Sequence, residues 1–528
     1  MDYQHDAGID WFVFAEDSMS EIISTSEVAS RVLIVGLGET GVAAARWCAR
    51  KGFALRITDT REAPSGLQGL KESLGDVPVE YHLGCDVFPA SLLEGVSTLV
   101  LSPGLAPGLS PVKELLDEAV QAQVEIVGEI ELFARALSEL NAERQYAPRV
   151  IGITGTNGKT TVTAMTRHML DAAGIKARVA GNISPAALHA LMDALDQDDL
   201  PQVWVLELSS FQLETTRSLK MVAATVLNVT QDHLDWHGSM EAYAKAKSRI
   251  FEMTDICIVN RDDKLVMDMV ESLHGMNVRS FGRDVPMYAG DVGIEISHDV
   301  PWLVVAKPNE FEDEEVPAPK RKKGAPPPER QPGRLVRLMP VEALAIRGLH
   351  NALNVQVAAQ LAIAAGASWG PALRAARDYV GEPHRMEFVR SIRGVDFFND
   401  SKGTNVGATV AGLEGLGRKS VLIAGGVGKG QDFSPLVPVV SRHVKSVLLI
   451  GQDAPILLDT LSSTGVTCEI VPDLIQAVNK AFTLAENGEA VVLSPACASL
   501  DMFRNYPHRG QVFVDAVAEL AMDQGEIV

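Results

Sequence analysis

The chain is short of cysteine, of aromatic residues and of positive charge. Its five cysteines, Cys48, Cys85, Cys257, Cys468 and Cys497, are scattered over 528 residues with no CxxC pair. That pattern excludes a disulfide framework and a cysteine-held zinc or redox centre, and it suits a reducing cytosol. No apolar run reaches the roughly 18 residues of a membrane span, so no membrane insertion is expected. The opening MDYQHDAGIDWFVFAED carries acids where a secretory signal needs lysine or arginine, which points to a cytoplasmic protein. Lysine and arginine number 47 against 68 acids, a formal net charge of -21. Such a field repels nucleic acid and anionic membranes, so bound phosphate must be held by local cations and backbone amides.

What is present reads as a folded α/β protein. Hydrophobic residues make up 46% and charged residues 22%, a globular balance, and the length gives a prior of roughly three domains. Residues 1–30 lack a clear period and read as an extension. From Arg31 apolar strands alternate with helical stretches: RVLIVG, ALRITD, STLVLSPG and VEIVG imply a parallel sheet covered on both faces, over residues 31–145. A second such unit spans 146–383, with strands at VIGITG, VWVLELSS, AATVLNVT and ICIVN and a helix at NALNVQVAAQLAIAAGA. It is interrupted at 307–334 by a charged, proline-rich segment that reads as a disordered insertion. After GEPHR, a third unit over 384–528 carries strands at VDFFND, SVLIAGG, SVLLIG, CEIVP and AVVLSPA.

Two glycine loops carry the chemistry. GLGETG at 36–41 lies between a strand and a helix, with Asp59 ending the next strand. That is the dinucleotide fingerprint, so an NAD-dependent oxidoreductase is one reading and a mere tight turn another. TGTNGKTT at 154–161 ends like a phosphate-binding loop, in which amides wrap phosphates, lysine neutralises charge and a hydroxyl ligates magnesium. It is a variant, because the usual leading glycine would fall at Ile153. Glu207 ends the strand VWVLE, where it could hold magnesium or simply cap a buried strand. His233 and His237 have the spacing of a helical zinc pair without the glutamate or cysteines of a zinc site, so magnesium chemistry is the better expectation. A third reading, a nucleotide-dependent scaffold, rests on the charged insertion.

Read together, TGTNGKTT, LELSSFQLETT, NVTQDHLDWH, YAKAKSRIF, GEPHR, NDSKGTN, GGVGKGQDF and LSPACASLDMF resemble the Mur ligase family from about residue 31 to about residue 520. The resemblance implies a Rossmann-like N-terminal domain, a central P-loop ATPase domain with a mostly parallel sheet, and a Rossmann-like C-terminal domain. It also implies an ATP-dependent, acyl-phosphate route to an amide in peptidoglycan precursor synthesis. NDSKGTN and LSPACASLDMF favour the D-glutamate-adding branch over the alanine-adding one, and therefore the substrates UDP-N-acetylmuramoyl-L-alanine and D-glutamate. A monomer is expected.

By motif match, Gly155, Thr156, Asn157, Gly158, Lys159, Thr160 and Thr161 form the ATP loop, with Asn351, Asn354, Arg385 and Asp400 around the nucleotide. Thr160, Glu207, His233 and Lys247 match ligands of two magnesium ions, Lys247 as a carbamate. Lys159, His233, Lys247 and Arg385 match the catalytic positions. Thr40, Asp59, Thr60, Arg61, Gly104 and Asn182 match contacts to the UDP-sugar substrate. Lys402, Thr404, Lys429, Ser499, Leu500 and Tyr506 match contacts to the amino acid. Two departures stand out: the family more often has glycine at or just after Ser184, and phenylalanine is familiar where Tyr506 stands.

Overall fold

The computed structural model describes residues 31–75, 77–271, 277–308, 330–346 and 348–526. The expected extension at 1–30 lies outside them. The first sheet contains β1 (Arg31–Val35), β2 (Ala54–Asp59), β3 (Val79–Leu83), β4 (Val96–Leu101) and β5 (Glu125–Val127), in the order β3-β2-β1-β4-β5. Every pairing is parallel. Chain order reverses between β1 and β4, and a ligand crevice opens at the carboxyl ends of strands on either side of such a switch. The GLGETG loop follows β1 and Gly104 follows β4. Gly41 is required in that loop, because a Cβ there would stand 1.9 Å from the carbonyl oxygen of Gly36.

The second sheet contains β6 (Arg149–Thr154), β7 (Ala177–Gly181), β8 (Val203–Glu207), β9 (Ala223–Val226), β10 (Ile256–Asn260) and β11 (Asn277–Phe281), in the order β11-β10-β9-β6-β8-β7. All of β8 is buried, as expected of a strand covered on both faces. Register pairs Ile153 with Glu207 and Thr154 with Val226. The loops after β6, β8 and β9 therefore emerge side by side.

A small antiparallel sheet follows, β12 (Val292–Ser297), β13 (Val300–Lys307) and β14 (Arg334–Pro340). It corrects the expected limits of the insertion. Lys307 pairs with Arg334, so both ends of the 307–334 stretch belong to a strand pair. Arg330 forms an ion pair with the buried Asp291 and stacks on Tyr288 at 4.7 Å. Residues 309–329, and with them the scaffold reading, lie outside the described residues. The last sheet contains β15 (Glu387–Ile392), β16 (Val395–Asn399), β17 (Ser420–Gly425), β18 (Val444–Ile450), β19 (Thr467–Ile470) and β20 (Ala490–Leu493), in the order β15-β16-β20-β17-β18-β19. Only β15 is antiparallel.

The expected α/β class, with three units and mostly parallel sheets, is what the structure has. The apolar cores show how the units are joined. One cluster runs from Leu37, Trp47, Ile130 and Phe133 of the first unit into Leu188, Leu191 and Trp204 of the second. The two clusters of the third unit contain only its own residues. Among the described residues no helix is long and apolar enough to cross a membrane.

Candidate active site

The loop after β6 is held open by its neighbours. Asn228, just past β9, accepts from the Asn157 amide with its side-chain oxygen at 2.8 Å and donates back to the Asn157 carbonyl at 3.1 Å. The Thr156 hydroxyl accepts from the Thr230 amide at 3.0 Å and lies 3.2 Å from the Tyr243 hydroxyl. Gly158 has φ +85°, and a Cβ there would meet the Asn354 side-chain oxygen at 3.0 Å. It caps the helix Lys159–Ala172, whose first turn carries Thr160 and the buried Thr161. The amides of such a helix start suit an anion.

Lys159 curls over this loop, donating to the carbonyls of Gly155 at 2.8 Å and Thr156 at 2.9 Å. Burial holds its pKa below the ordinary lysine value; Glu207 and Asp232 oppose that shift, while Arg385 and Lys402 add to it. Glu207 accepts from the Asn182 side-chain amide at 2.9 Å with one oxygen. Its other oxygen is buried and has no partner among the described residues. A buried carboxylate oxygen normally finds a donor or a cation. With the Thr160 hydroxyl it offers two hard donors, a set that fits a magnesium ion taking its remaining ligands from phosphate and water.

Lys247 is 1% exposed, although YAKAKSRIF reads by itself as a solvent-facing basic stretch. The helix Met240–Ser248 turns it inward, where Nζ lies 3.1 Å from the Gly155 carbonyl and 4.5 Å from the Tyr243 ring. Burial, with Lys159 adding to it, holds its pKa well below the ordinary lysine value. His233 has φ +54° and stands between Phe211, at 4.9 Å ring to ring, and Asp232, with Nε2 to Oδ2 at 3.5 Å. Its pKa is lowered chiefly by burial, against Asp232 and with help from Lys429, Lys159 and Lys247. His237 goes elsewhere, to Ser210 at 2.9 Å. Among the described residues no three His, Cys, Asp or Glu side chains gather as a metal cluster.

On the helix Leu349–Ala364, the Asn354 amide donates to Asn351 at 3.1 Å. Asp400 is buried: it accepts from the Ser494 hydroxyl at 2.6 Å and the Met386 amide at 3.2 Å, and burial pushes its pKa up to about 7. Lys402 lies over the Tyr506 ring at 4.0 Å. Thr404 is half-buried, Ser499 is buried, Leu500 is exposed and Lys429 takes a left-handed backbone with φ +53°. Cys497 is buried, and burial pushes its thiol up to about 12.

In the first unit, Thr40 is half-buried while Thr60, Arg61 and Gly104 are exposed around the switch point. Asp59 accepts from the Leu37 amide at 2.7 Å and is gripped by Arg61 at 2.8 and 2.7 Å. The carboxylate that would hold a dinucleotide ribose is therefore already occupied, which removes the support for the NAD reading. Four participants were not singled out from the sequence: Asn228, Tyr243, Asp232 and Asn405. The last two join the third unit to the loop. The Asn157 and Asn405 side chains exchange hydrogen bonds at 3.3 and 3.1 Å, and Asn405 also donates to Asp232 at 3.3 Å.

Comparison with known proteins shows the family. Family models match in sequence order: the Mur ligase MurD-like N-terminal domain at residues 30–128, the Mur ligase middle domain at 153–300 and the Mur ligase glutamate ligase domain at 384–497. The UDP-N-acetylmuramoylalanine–D-glutamate ligase of Bordetella bronchiseptica is 63% identical over 510 residues, 96% of this chain and 100% of the relative. That of Cupriavidus pinatubonensis is 52% identical over 497 residues, 94% and 98% respectively. Among solved structures, the UDP-N-acetylmuramate-alanine ligase of Thermotoga maritima superposes with a TM-score of 0.53 at 18% identity, covering 93% of this chain and 100% of that one. The MurF ligase of Thermotoga maritima, solved in complex with ADP, gives 0.51 at 15% identity, covering 81% and 94%; both likenesses speak to fold. With three domain models in order and near-complete relatives at this identity, the chain belongs to the Mur ligase family.

Proposed function

We propose that the protein is a cytoplasmic, monomeric ATP-dependent ligase that joins D-glutamate to UDP-N-acetylmuramoyl-L-alanine in peptidoglycan precursor synthesis. Relatives of that name align over nearly the whole chain. The observation that carries the chemistry is that Lys159 and buried Lys247 both reach the Gly155 carbonyl of one phosphate-type loop, beside the open oxygen of Glu207 and with Asn405 of the third unit bonded to Asn157.

A carboxylate resists amine attack because its carbonyl carbon already shares negative charge. The alanyl carboxylate oxygen attacks the γ-phosphorus of ATP, the bond to the bridging oxygen breaks, and ADP leaves. The resulting acyl phosphate is attacked by the D-glutamate amine. Its C–O bond breaks, orthophosphate departs, the ammonium proton passes to solvent and an amide remains. The protein's part is positioning and charge neutralisation.

In this reading Gly155 to Thr161 wrap the phosphates, Lys159 and Arg385 offset charge as the phosphoryl group moves, and Asn351, Asn354 and Asp400 order the nucleotide side. Thr160 and Glu207 would hold one magnesium ion, and His233 with Lys247 as a carbamate would hold a second; when bound, the ions would supply charge neutralisation. Burial shifts Lys247 towards its neutral amine, the form that can add carbon dioxide and, on losing a proton to solvent, give an anionic carbamate. Thr40, Thr60, Arg61 and Gly104 receive the uridine nucleotide, Asp59 fixing Arg61, with Asn182 beyond. Lys402, Lys429, Thr404, Ser499, Leu500 and Tyr506 form the D-glutamate end, where two cations suit two carboxylates.

The test is mass spectrometry of the product with phosphate release. Amide and orthophosphate form in equal amounts only when ATP and both substrates are present, and 18O placed in the alanyl carboxylate appears in the phosphate. Release without label transfer overturns the route. Lys159→Ala lowers kcat at least about 100-fold. Lys247→Ala is inactive and partly rescued by a short carboxylic acid; full activity without rescue overturns the role of Lys247.

A further inference from the structure

The second variable position of GLGETG is a glutamate, Glu39, and the fingerprint assigns it no task. The structure gives it one. Glu39 opens the helix Glu39–Arg50, and a single oxygen, Oε1, accepts from the Ser184 hydroxyl at 2.7 Å and the Ala186 amide at 3.1 Å. Both donors belong to the second unit. Ala186 caps the helix Ala187–Asp196 without using its own side chain, so its free amides favour a carboxylate. Glu129 of the first unit reaches the same first turn, accepting from the Leu188 amide at 2.5 Å. At the far end of the same helix, Arg50 pairs with Asp196 at 2.7 Å. Thus the first and last residues of one helix grip the two ends of its partner.

Glu39 adjoins Thr40, on the side proposed for the uridine nucleotide. Ser184 is two residues from Asn182, whose amide donates to the Glu207 carbonyl at 2.7 Å and whose side chain donates to the Glu207 carboxylate. A short chain of bonds therefore spans from the first glycine loop to the carboxylate beside the phosphate loop.

We propose that Glu39 is a positioning residue: through Ser184 and Ala186 it fixes the spacing between the nucleotide loop and the Asn182 loop, so that the two ends of one long UDP-sugar substrate are bound together. The proposal rests on the ligase reading. Residues that set a span contribute to binding in ground and transition states alike, so their loss raises KM for that substrate with kcat kept.

The experiment is steady-state kinetics of the full chain with each substrate varied separately. Glu39→Leu raises KM for UDP-N-acetylmuramoyl-L-alanine about tenfold, the scale of a lost charge-assisted hydrogen bond. Its kcat, and KM for ATP and D-glutamate, stay within about twofold. Ser184→Gly raises the same KM about threefold, and the double variant is no worse than Glu39→Leu alone, since both remove one bond. Should Glu39→Leu misfold, Glu39→Gln and Ser184→Gly carry the test through the same split. An unchanged KM, an equal rise in all three, or multiplying effects in the double variant overturn the proposal. Hydrogen exchange at the Ala186 amide needs no substrate. Faster exchange there in Glu39→Leu upholds the bond even if the wild type makes no amide, a result that would sink the ligase reading separately.

Discussion

The second unit has two joints, and they are built differently. Towards the first unit it shares a continuous apolar core, in which Phe133 meets Trp204 edge to face at 5.3 Å, closed by Glu39, Glu129 and the Arg50–Asp196 pair. Towards the third unit the contacts at the loop are polar, through Asn157, Asn405 and Asp232. Apolar burial resists separation, because opening it exposes area at roughly 25 cal/mol per Å2. Hydrogen bonds between such polar side chains are replaced by bonds to water on opening, so each contributes only about 1 kcal/mol. The joint towards the first unit is therefore the harder to open and the joint towards the third unit the easier, a division that would suit a site which must close to keep water from an acyl phosphate.

Breaking the apolar joint gives the largest effect. Phe133→Ala removes a fully buried ring from the shared core and costs about 3–5 kcal/mol. In urea unfolding the midpoint of the first two units falls together, while a probe in the third unit keeps its own. A third-unit transition that falls by the same amount would erase the contrast between the joints.

A smaller effect tests the electrostatics of the same joint. Burial pushes Glu129 up to about 7, Glu39 adds to the shift, and the Leu188 and Ala187 amides oppose it. Its second oxygen has no partner among the described residues. An acid whose folded pKa is raised above the ordinary 4.5 binds more protons folded than unfolded across that interval, so its contribution is lost as pH rises from about 4.5 to about 7. Glu129→Gln cannot titrate. The wild type should therefore lose roughly 2 kcal/mol relative to Glu129→Gln between pH 5 and pH 8, read from paired urea midpoints. Parallel pH curves would show that Glu129 is not strained in this way.

Much of this was legible in the sequence where a local rule governs it. Strand, glycine turn and helix placed GLGETG at a switch point and TGTNGKTT on a helix start, and the continuous apolar run VWVLE gave a buried strand ending in Glu207. Strands without that signal were missed: β3 alternates half-buried and exposed positions, and β12 to β15 pair antiparallel outside the βαβ pattern. Side chains whose role depends on a distant partner were also invisible. Asn405 looks like a helix cap, which it is through Ala408; its other bonds reach residues 157 and 232. Lys247 sits in a basic pattern that says surface, and only the packing of its helix under the loop after β6 buries it.

The polar joint is tested by changing Asn405 without removing its cap. Asn405→Asp keeps an oxygen for the Ala408 amide at the start of the helix Val406–Leu416, and aspartate caps as well as asparagine, so the third unit keeps its stability. What the variant loses is the donor. Its carboxylate faces the Asp232 oxygen, now 3.3 Å from the Asn405 amide, and like charges at that distance repel. Closure over the phosphate loop then becomes less favourable by about one hydrogen bond, roughly 1.4 kcal/mol or tenfold in the closed population. The expected result is kcat down about tenfold, with urea midpoints within about 0.5 kcal/mol of wild type and a larger radius of gyration with ATP and the UDP-sugar bound. Lower midpoints with unchanged compaction would mean that Asn405 serves its own helix alone, and that the polar joint moves for some other reason.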